Sequence, residues 1–384
     1  MLRIAILILF SLSLSSKVFS YPQFIGHGYS SCITCHYNPY GNGPLTDYGR
    51  ALAATMATDR AFIPESVSDE ELGERSGFFF KKPTSTWFRP NFDYRGLWYK
   101  RDIDSETSEA EIIHMDANIT LVGKFLENDK LITVFNFGYA PEPRGRTGLE
   151  DEPTYRTREH YIGYRFTPKF GVYAGLMDKV FGIRIPDHIA FSRSTNGLAM
   201  NDQSHGLLVH TGGEKWELGV NAFIGNLAQD AELRQVGASA KFEYDVASKI
   251  RVGASVLSSK SDFLERYINA FHMKMGVGKG SALMVELGES TKTQISGATE
   301  TKSRYALTQG YFQTSRGAFG IMTMEYFKQN LERESYVMRF GPGFQYFPVP
   351  RVELRADIYN TRIFSDSLVS DDTWDLTGQL HLWF

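Results

Sequence analysis

The chain has 384 residues and a near-balanced formal charge of −3 from 41 basic and 44 acidic side chains, so its charge gives no argument for a nucleic-acid partner. Its 28 Phe, 20 Tyr and 35 Gly favour strands and turns over helices. No stretch approaches the ~18 consecutive apolar residues of a membrane helix, which leaves a membrane β-barrel open because barrel strands only alternate.

Residues 1–20 read as a secretory signal peptide. Arg3 supplies the positive start and Ile4 to Leu14 a short apolar run, while Val18 and Ser20 take the small-residue positions before a cut at Tyr21. No cysteine follows that cut directly, so a lipoprotein anchor is not expected.

The only two cysteines come next, in Cys32-Ile33-Thr34-Cys35-His36. Two thiols at this spacing can add to the two vinyl groups of a haem, and the following histidine is then held as the proximal iron ligand. The motif uses every cysteine and follows an export signal, which suits haem attachment outside the cytoplasm. A redox disulfide would need a thioredoxin-like βαβ context, and a zinc site would need more Cys or His nearby. The reading is one covalent haem c on Cys32 and Cys35 with His36 on the iron.

A turn at Gly41-Asn42-Gly43-Pro44 precedes a helix expected over 45–57. Leu45, Tyr48, Leu52 and Met56 share one face at helical spacing, and that face could cover the haem. Met56 and His27 are the competing candidates for the sixth iron position, with an open or water-bound position as the third option. Ser68-Asp69-Glu70-Glu71 is a capping box for a short acidic helix ending near Gly77. Residues 21–83 are therefore assigned to a periplasmic haem-binding segment with its linker, and 84–384 to a barrel.

From about Thr86 the pattern changes to period-2 alternation. Trp216, Leu218, Val220, Ala222 and Ile224 alternate with Glu217, Gly219, Asn221, Phe223 and Gly225. Val236 to Tyr244 and Val352 to Ile358 behave alike. A soluble sandwich would alternate too, so the connections carry the argument. Short ones fall near Asn128-Asp129, Pro168-Lys169, Gly212-Gly213, Ala247-Ser248, Gly278-Lys279, Ser315-Arg316 and Val349-Pro350. Mostly longer ones interleave, 101–108, 141–153, 178–203, 259–265, 289–302 and 363–372, with two shorter ones near Ala228-Gln229 and Leu331-Glu332 at the alternate positions. Short turns at one end, longer loops at the other and about sixteen strands describe a transmembrane antiparallel β-barrel. Leu376, Gly378, Leu380, Leu382 and Phe384 share one face of the last strand, which ends on an aromatic residue. The fold class is thus all-β, a barrel in outer-membrane lipid with a short N-terminal helical haem segment.

Other apparent motifs have plainer explanations. Gly276 to Ser281 lacks the spacing of a phosphate loop and reads as a hairpin turn. His160, His205, His210, His272 and His381 are scattered over different strands and read as lumen or interface residues. The longest loop, 178–203, carries Phe181 to Arg193. In general porins of about sixteen strands the third outer loop narrows the pore. An inward fold here would put Arg184, Asp187, His188 and Arg193 near a constriction; an outer surface loop is the rival.

Together, Ser31 to His36, Leu45 to Arg50, the Phe181 to Arg193 loop and the terminal Phe384 resemble exported Gram-negative proteins in which a monohaem c-type segment precedes a porin-like outer-membrane barrel. The resemblance implies haem binding and electron transfer at the outer membrane, with periplasmic electron-transfer proteins and the barrel-assembly machinery as partners. One haem cannot carry electrons across a hydrocarbon layer of ~25 Å alone. The leading expectation is an electron-transfer protein, not an enzyme, with its haem at the periplasmic mouth. The alternative is a diffusion porin in which the haem segment is a plug or redox sensor. A peroxidase or reductase would need an open iron position and a distal acid/base such as His27. Oligomeric state is not legible.

Overall fold

The computed structural model describes residues 22–103, 108–139, 155–187, 189–297, 299–365 and 372–384. The signal-peptide assignment, His188 and the whole of the 141–153 loop lie outside these residues.

The strands are β1 (Phe88–Lys100), β2 (Glu111–Phe125), β3 (Leu131–Tyr139), β4 (Tyr155–Arg156 continuing as His160–Thr167), β5 (Phe170–Met177), β6 (Ser204–Gly212), β7 (Trp216–Phe223) and β8 (Val236–Ala247). They continue as β9 (Ile250–Lys260), β10 (Leu264–Gly278), β11 (Ser281–Gln294), β12 (Thr299–Ser315), β13 (Ala318–Lys328), β14 (Tyr336–Tyr346), β15 (Val352–Phe364) and β16 (Asp372–Trp383). Both parts of β4 pair with β3, so they count as one strand and the barrel has sixteen. Each strand runs antiparallel to its chain neighbours, and β1 pairs with β16 from Asp93↔Trp383 to Lys100↔Leu376. Closure leaves no unpaired edge, as a hydrocarbon environment requires. Beyond β16, Phe384 exchanges backbone hydrogen bonds with Phe92 (2.7 and 2.8 Å), and its ring stacks on Phe79 at 5.0 Å.

The alternation now has a direction. On β8, Ser239, Lys241 and Glu243 are buried, whereas Val236, Phe242 and Tyr244 are exposed. On β15, Glu353, Arg355 and Asp357 are buried, whereas Leu354 and Ile358 are exposed. Charges inside and apolar side chains outside invert a soluble sandwich, and that inversion fits a lipid-facing barrel. Inside, the charges satisfy one another. Arg251 reaches Glu217 at 2.7 Å and Asp245 at 2.6 Å, and Glu243 accepts from His272 at 2.9 Å and pairs with Lys274 at 2.6 Å.

Three expectations need correction. The connections at 259–265 and 289–302 are shorter than expected, because β9 to β12 run on through them and leave only 261–263 and 295–298 outside strands. Cross-strand pairing continues there, with Arg304 on Glu289 at 2.9 Å, so polar sequence did not end the ladder. The helix over 45–57 is α-helical only from Asp47 to Leu52 and finishes as a π-turn, Ala53–Ala57. Thr46 caps it through Gly49 N–H. Leu45, Leu52 and Met56 pack inward, but Tyr48, on the α-helical turn, is 50% exposed. The acidic helix spans Asp69–Glu74, capped by Ser68, and stops before Gly77.

The N-terminal segment lies inside the short-turn end of the barrel and does not hang below it. Phe24, Tyr29, Cys35 and Ala57 pack against Phe319 and Phe347, and Tyr37 packs with Val122, Ile132, Tyr161 and Leu208. Polar bolts fix it around the whole circumference. Asp47 takes a two-pronged grip from Arg89 (2.6 and 2.8 Å), Glu159 accepts from Asn38 (2.7 Å), and Arg165 donates to Tyr37 O (2.9 Å). Lys249 and Lys274 hold the Gly26 and Ser30 carbonyls at 3.1 Å each, and Tyr346 donates to Asp59 at 2.7 Å. Close approach needs small residues in the wall. A Cβ on Gly219 would sit 1.2 Å from the Tyr40 hydroxyl.

Candidate functional site

The Cys32–His36 segment forms one helical turn. The amides of Cys35 and His36 both donate to Cys32 O, at 3.1 and 3.0 Å. The chain then reverses through Gly41, Asn42 and Gly43, all with positive φ (77°, 69° and 62°). The reversal lets Leu45 form a bridge with His36, and Thr46 N–H donates to Cys35 O at 2.8 Å. Gly49 completes the clamp, since a Cβ there would lie 2.4 Å from Cys35 O.

The reversal also aims the histidine. His36 Nδ1 lies 2.9 Å from Asn42 O. An Nδ1–H that donates to a carbonyl assigns the lone pair to Nε2, the nitrogen that would ligate iron. Burial drives the His36 pKa down to about 4, against the opposing pull of the Asn42 and Gly43 backbone, so the ring stays in its neutral, ligating form. Burial also raises both thiols, Cys32 and Cys35.

Cys32 and His36 line a cavity in the lumen. The cavity is partly open to solvent. Arg95, Arg158, Arg184 and Arg193 all line it, which suits a ligand carrying carboxylates. Asp93, Asp116 and Glu159 share the lining and offset part of that charge. Cys32, the oriented imidazole and the guanidiniums face this cavity, a donor set of the kind a haem with propionates would use, whereas the Cys35 thiol packs in the apolar cluster with Phe24, Tyr29 and Phe347.

The long loop supplies the rest of the lining. It folds into the lumen, with Val180, Phe181, Ile183, Ile185 and Ala190 buried. Wall carboxylates receive its backbone: Glu286 accepts from Ile183 N–H, and Glu325 from Phe191 N–H at 2.7 Å. Wall cations hold its carbonyls, Arg266 at Asn196 (2.7 Å) and Lys292 at Thr195 (2.6 Å). Ile183 and Ile185 also meet Ile25 of the N-terminal segment over Met284 and Leu307. Those two wall residues are apolar on the lumen side because the loop and segment cover them.

The sequence candidates divide clearly. Arg184 and Arg193 face the cavity, and Arg184 also pairs with Asp178. Asp187 turns to the wall instead, 3.7 Å from Arg339 and 3.5 Å from the Tyr359 hydroxyl. Neither Met56 nor His27 is among the cavity-lining residues. Met56 packs on the cluster around Cys35 and Phe347. His27 lies tilted beside Phe24, and burial together with Lys279 and Lys249 lowers its pKa. The other histidines lie on the strands: His210, His272 and His381 are buried, and His160 and His205 face each other at 3.2 Å. Sequence reading missed Tyr40, Met200, Gln203 and the inward carboxylates of β1 and β2. Period-2 register could have placed Asp93 and Asp116 inside, but nothing local marked Met200.

No family model matches the chain, and no curated protein resembles it in sequence. Solved structures do. OmpT of Vibrio cholerae superposes with a TM-score of 0.60 at 9% identity over 79% of this chain and 99% of that one. The anion-selective porin from Comamonas acidovorans gives 0.59 at 8% over 77% and 99%. The outer-membrane channel DcaP of Acinetobacter baumannii gives 0.59 at 14% over 80% and 99%. This is a porin-like outer-membrane β-barrel fold. The matched share is close to that of residues 84–384, the barrel with its connections, and at these identities the likeness establishes the fold only.

Proposed function

We propose that this protein is an outer-membrane channel of porin type whose pore is stoppered from the periplasmic side by a haem-carrying N-terminal plug. One observation carries the reading: the Cys32–His36 turn sits within the lumen, in a cavity bounded by the bolted segment and the inward loop. A diffusion pore needs a continuous wet path, and here two elements occupy it. Cys32 and Cys35 would attach the haem and His36 would ligate it. The haem supplies one-electron chemistry, so the plug doubles as a redox element.

What the chain's own residues do follows from their placement. Asn42 O fixes the His36 tautomer, Gly49 keeps Cys35 close to the helix, and Arg184 and Arg193 offer charge to propionates. A second reading, electron exchange with periplasmic proteins as the main task, is favoured by the place of the segment at the short-turn end of the barrel, where Ser31 meets Glu217 and Lys274 holds the Ser30 carbonyl. Single-haem transfer over the full ~25 Å still needs an outer acceptor. The haem-enzyme reading loses its distal candidate, since His27 does not line the cavity.

The test is purification from the membranes of cells competent in c-type haem maturation. A covalent haem spectrum lost in Cys32→Ala supports haem attachment; an unchanged spectrum in that variant overturns it. Bilayer conductance that rises when the plug is loosened supports the channel, whereas a barrel that stays closed but exchanges electrons with small cytochromes supports the second reading.

A further inference from the structure

We infer that Met200, on the inward loop, is the sixth ligand of the haem iron, so that plug and loop are joined through the metal. This rests on the haem reading above.

The cavity narrows the choice. Apart from His36 itself, its lining offers three side chains of an axial type, Met200, His381 and Tyr40, and the Tyr40 hydroxyl is lodged against the wall at Gly219. His381 is already committed at both ring nitrogens, with Glu353 at 3.0 Å and Asp93 at 2.7 Å. Freeing it would strand two lumen carboxylates. The lining carboxylates are engaged too: Asp116 by Arg158 and Asn118, Glu159 by Asn38. They are hard donors, whereas a thioether suits c-type haem. Met200 makes no polar demand of its own and is half-buried.

Its backbone is held as a ligand's should be. Gln203 donates to Met200 O at 2.6 Å and to Asp178 at 2.9 Å, tying the two ends of the loop together. Ala199 N–H donates to the Asp202 carboxylate at 2.7 Å, and Lys179 holds Asp202 O at 2.7 Å. Met200 therefore rides on a pinned turn. The loop as a whole lies near the haem motif: Arg184 lines the same cavity as Cys32 and His36. Met56, the candidate on the plug itself, is instead packed into the apolar cluster behind Cys35.

The experiment uses the full-length, haem-loaded protein in detergent. The ferric wild type is expected to show the weak far-red sulfur-to-iron absorption band. In Met200→Ala that band should vanish, the midpoint potential should fall, and the ferrous haem should bind carbon monoxide where the wild type resists it. Met200→His should restore a six-coordinate spectrum without the band. Met56→Ala and His27→Ala should match the wild type. A band that is absent from the wild type, survives Met200→Ala or disappears in Met56→Ala overturns the assignment. Total absence of covalent haem would sink the haem reading itself, a result distinguishable by the haemochrome assay.

Discussion

The plug is held by a small number of polar bolts, and Asp47 is the one whose removal reports most directly. Its carboxylate accepts from Arg89 at 2.6 and 2.8 Å and from Lys124 at 3.3 Å. The Arg89 and Lys124 side chains are 8% and 9% exposed, while Asp47 is 41% exposed. Charge-assisted hydrogen bonds contribute about 1.5–3 kcal/mol when buried, and exposed pairs only about 0.2–1 kcal/mol. Solvent at Asp47 discounts its side of the pair. The two shielded cations it leaves behind raise the cost again, although Lys124 keeps Asp129 at 2.9 Å. Asp47→Asn should therefore weaken seating by about 1–3 kcal/mol, or about 5- to 150-fold in the ratio of unseated to seated plug. The assay is single-channel recording in a planar bilayer, reading the fraction of time spent conducting, with a chain lacking residues 22–60 as the open reference. If that reference conducts but Asp47→Asn stays as closed as the wild type, the argument for this bolt fails. If the reference is also closed, the segment is not the seal.

Acid should act on the same bolt. Burial raises the Asp47 pKa, but the bonds from Arg89 and Lys124 outweigh it and hold the carboxyl below its ordinary range. A depressed carboxylate contributes seating above its free pKa of about 3.9 and loses it as pH falls through the docked value. Wild-type conductance should then rise in acid below about pH 4, with a smaller rise in Asp47→Asn; equal rises would assign the response elsewhere. Gly219→Leu places side-chain atoms where the Tyr40 hydroxyl sits, so it should raise conductance without altering barrel assembly, checked by heat-modifiable gel mobility. Gly49→Ala pushes a methyl against Cys35 O and should lower the yield of covalent haem per barrel, measured by haemochrome against protein; an unchanged ratio would count against the clamp. Deleting Phe384 removes two backbone bonds at the β1–β16 seam and the stack on Phe79, and should slow membrane assembly in a pulse-chase experiment.

Sequence alone determined what repeats locally. The barrel is an alternation plus a rhythm of turns, so it could be read from neighbours along the chain, as could the spacing of Cys32, Cys35 and His36 on which the haem proposal rests. The sixteen-strand count followed from that rhythm even where two loop lengths did not, because pairing continued through polar stretches such as Glu289 to Arg304. Tertiary structure decided which face looked outward, since Val236 and Lys241 alternate equally well in a sandwich and only burial tells lipid side from lumen. It also decided where the haem motif sits. Nothing near Cys32 encodes the lumen. That placement depends on Gly26 over Ser281, Tyr40 over Gly219 and Asp47 on Arg89, contacts between residues from 42 to 255 positions apart in the chain. The same holds for the proposed sixth ligand. Helical spacing singled out Met56 because it lies close in sequence, whereas a cavity is assembled from distant walls, and that is how Met200 enters it.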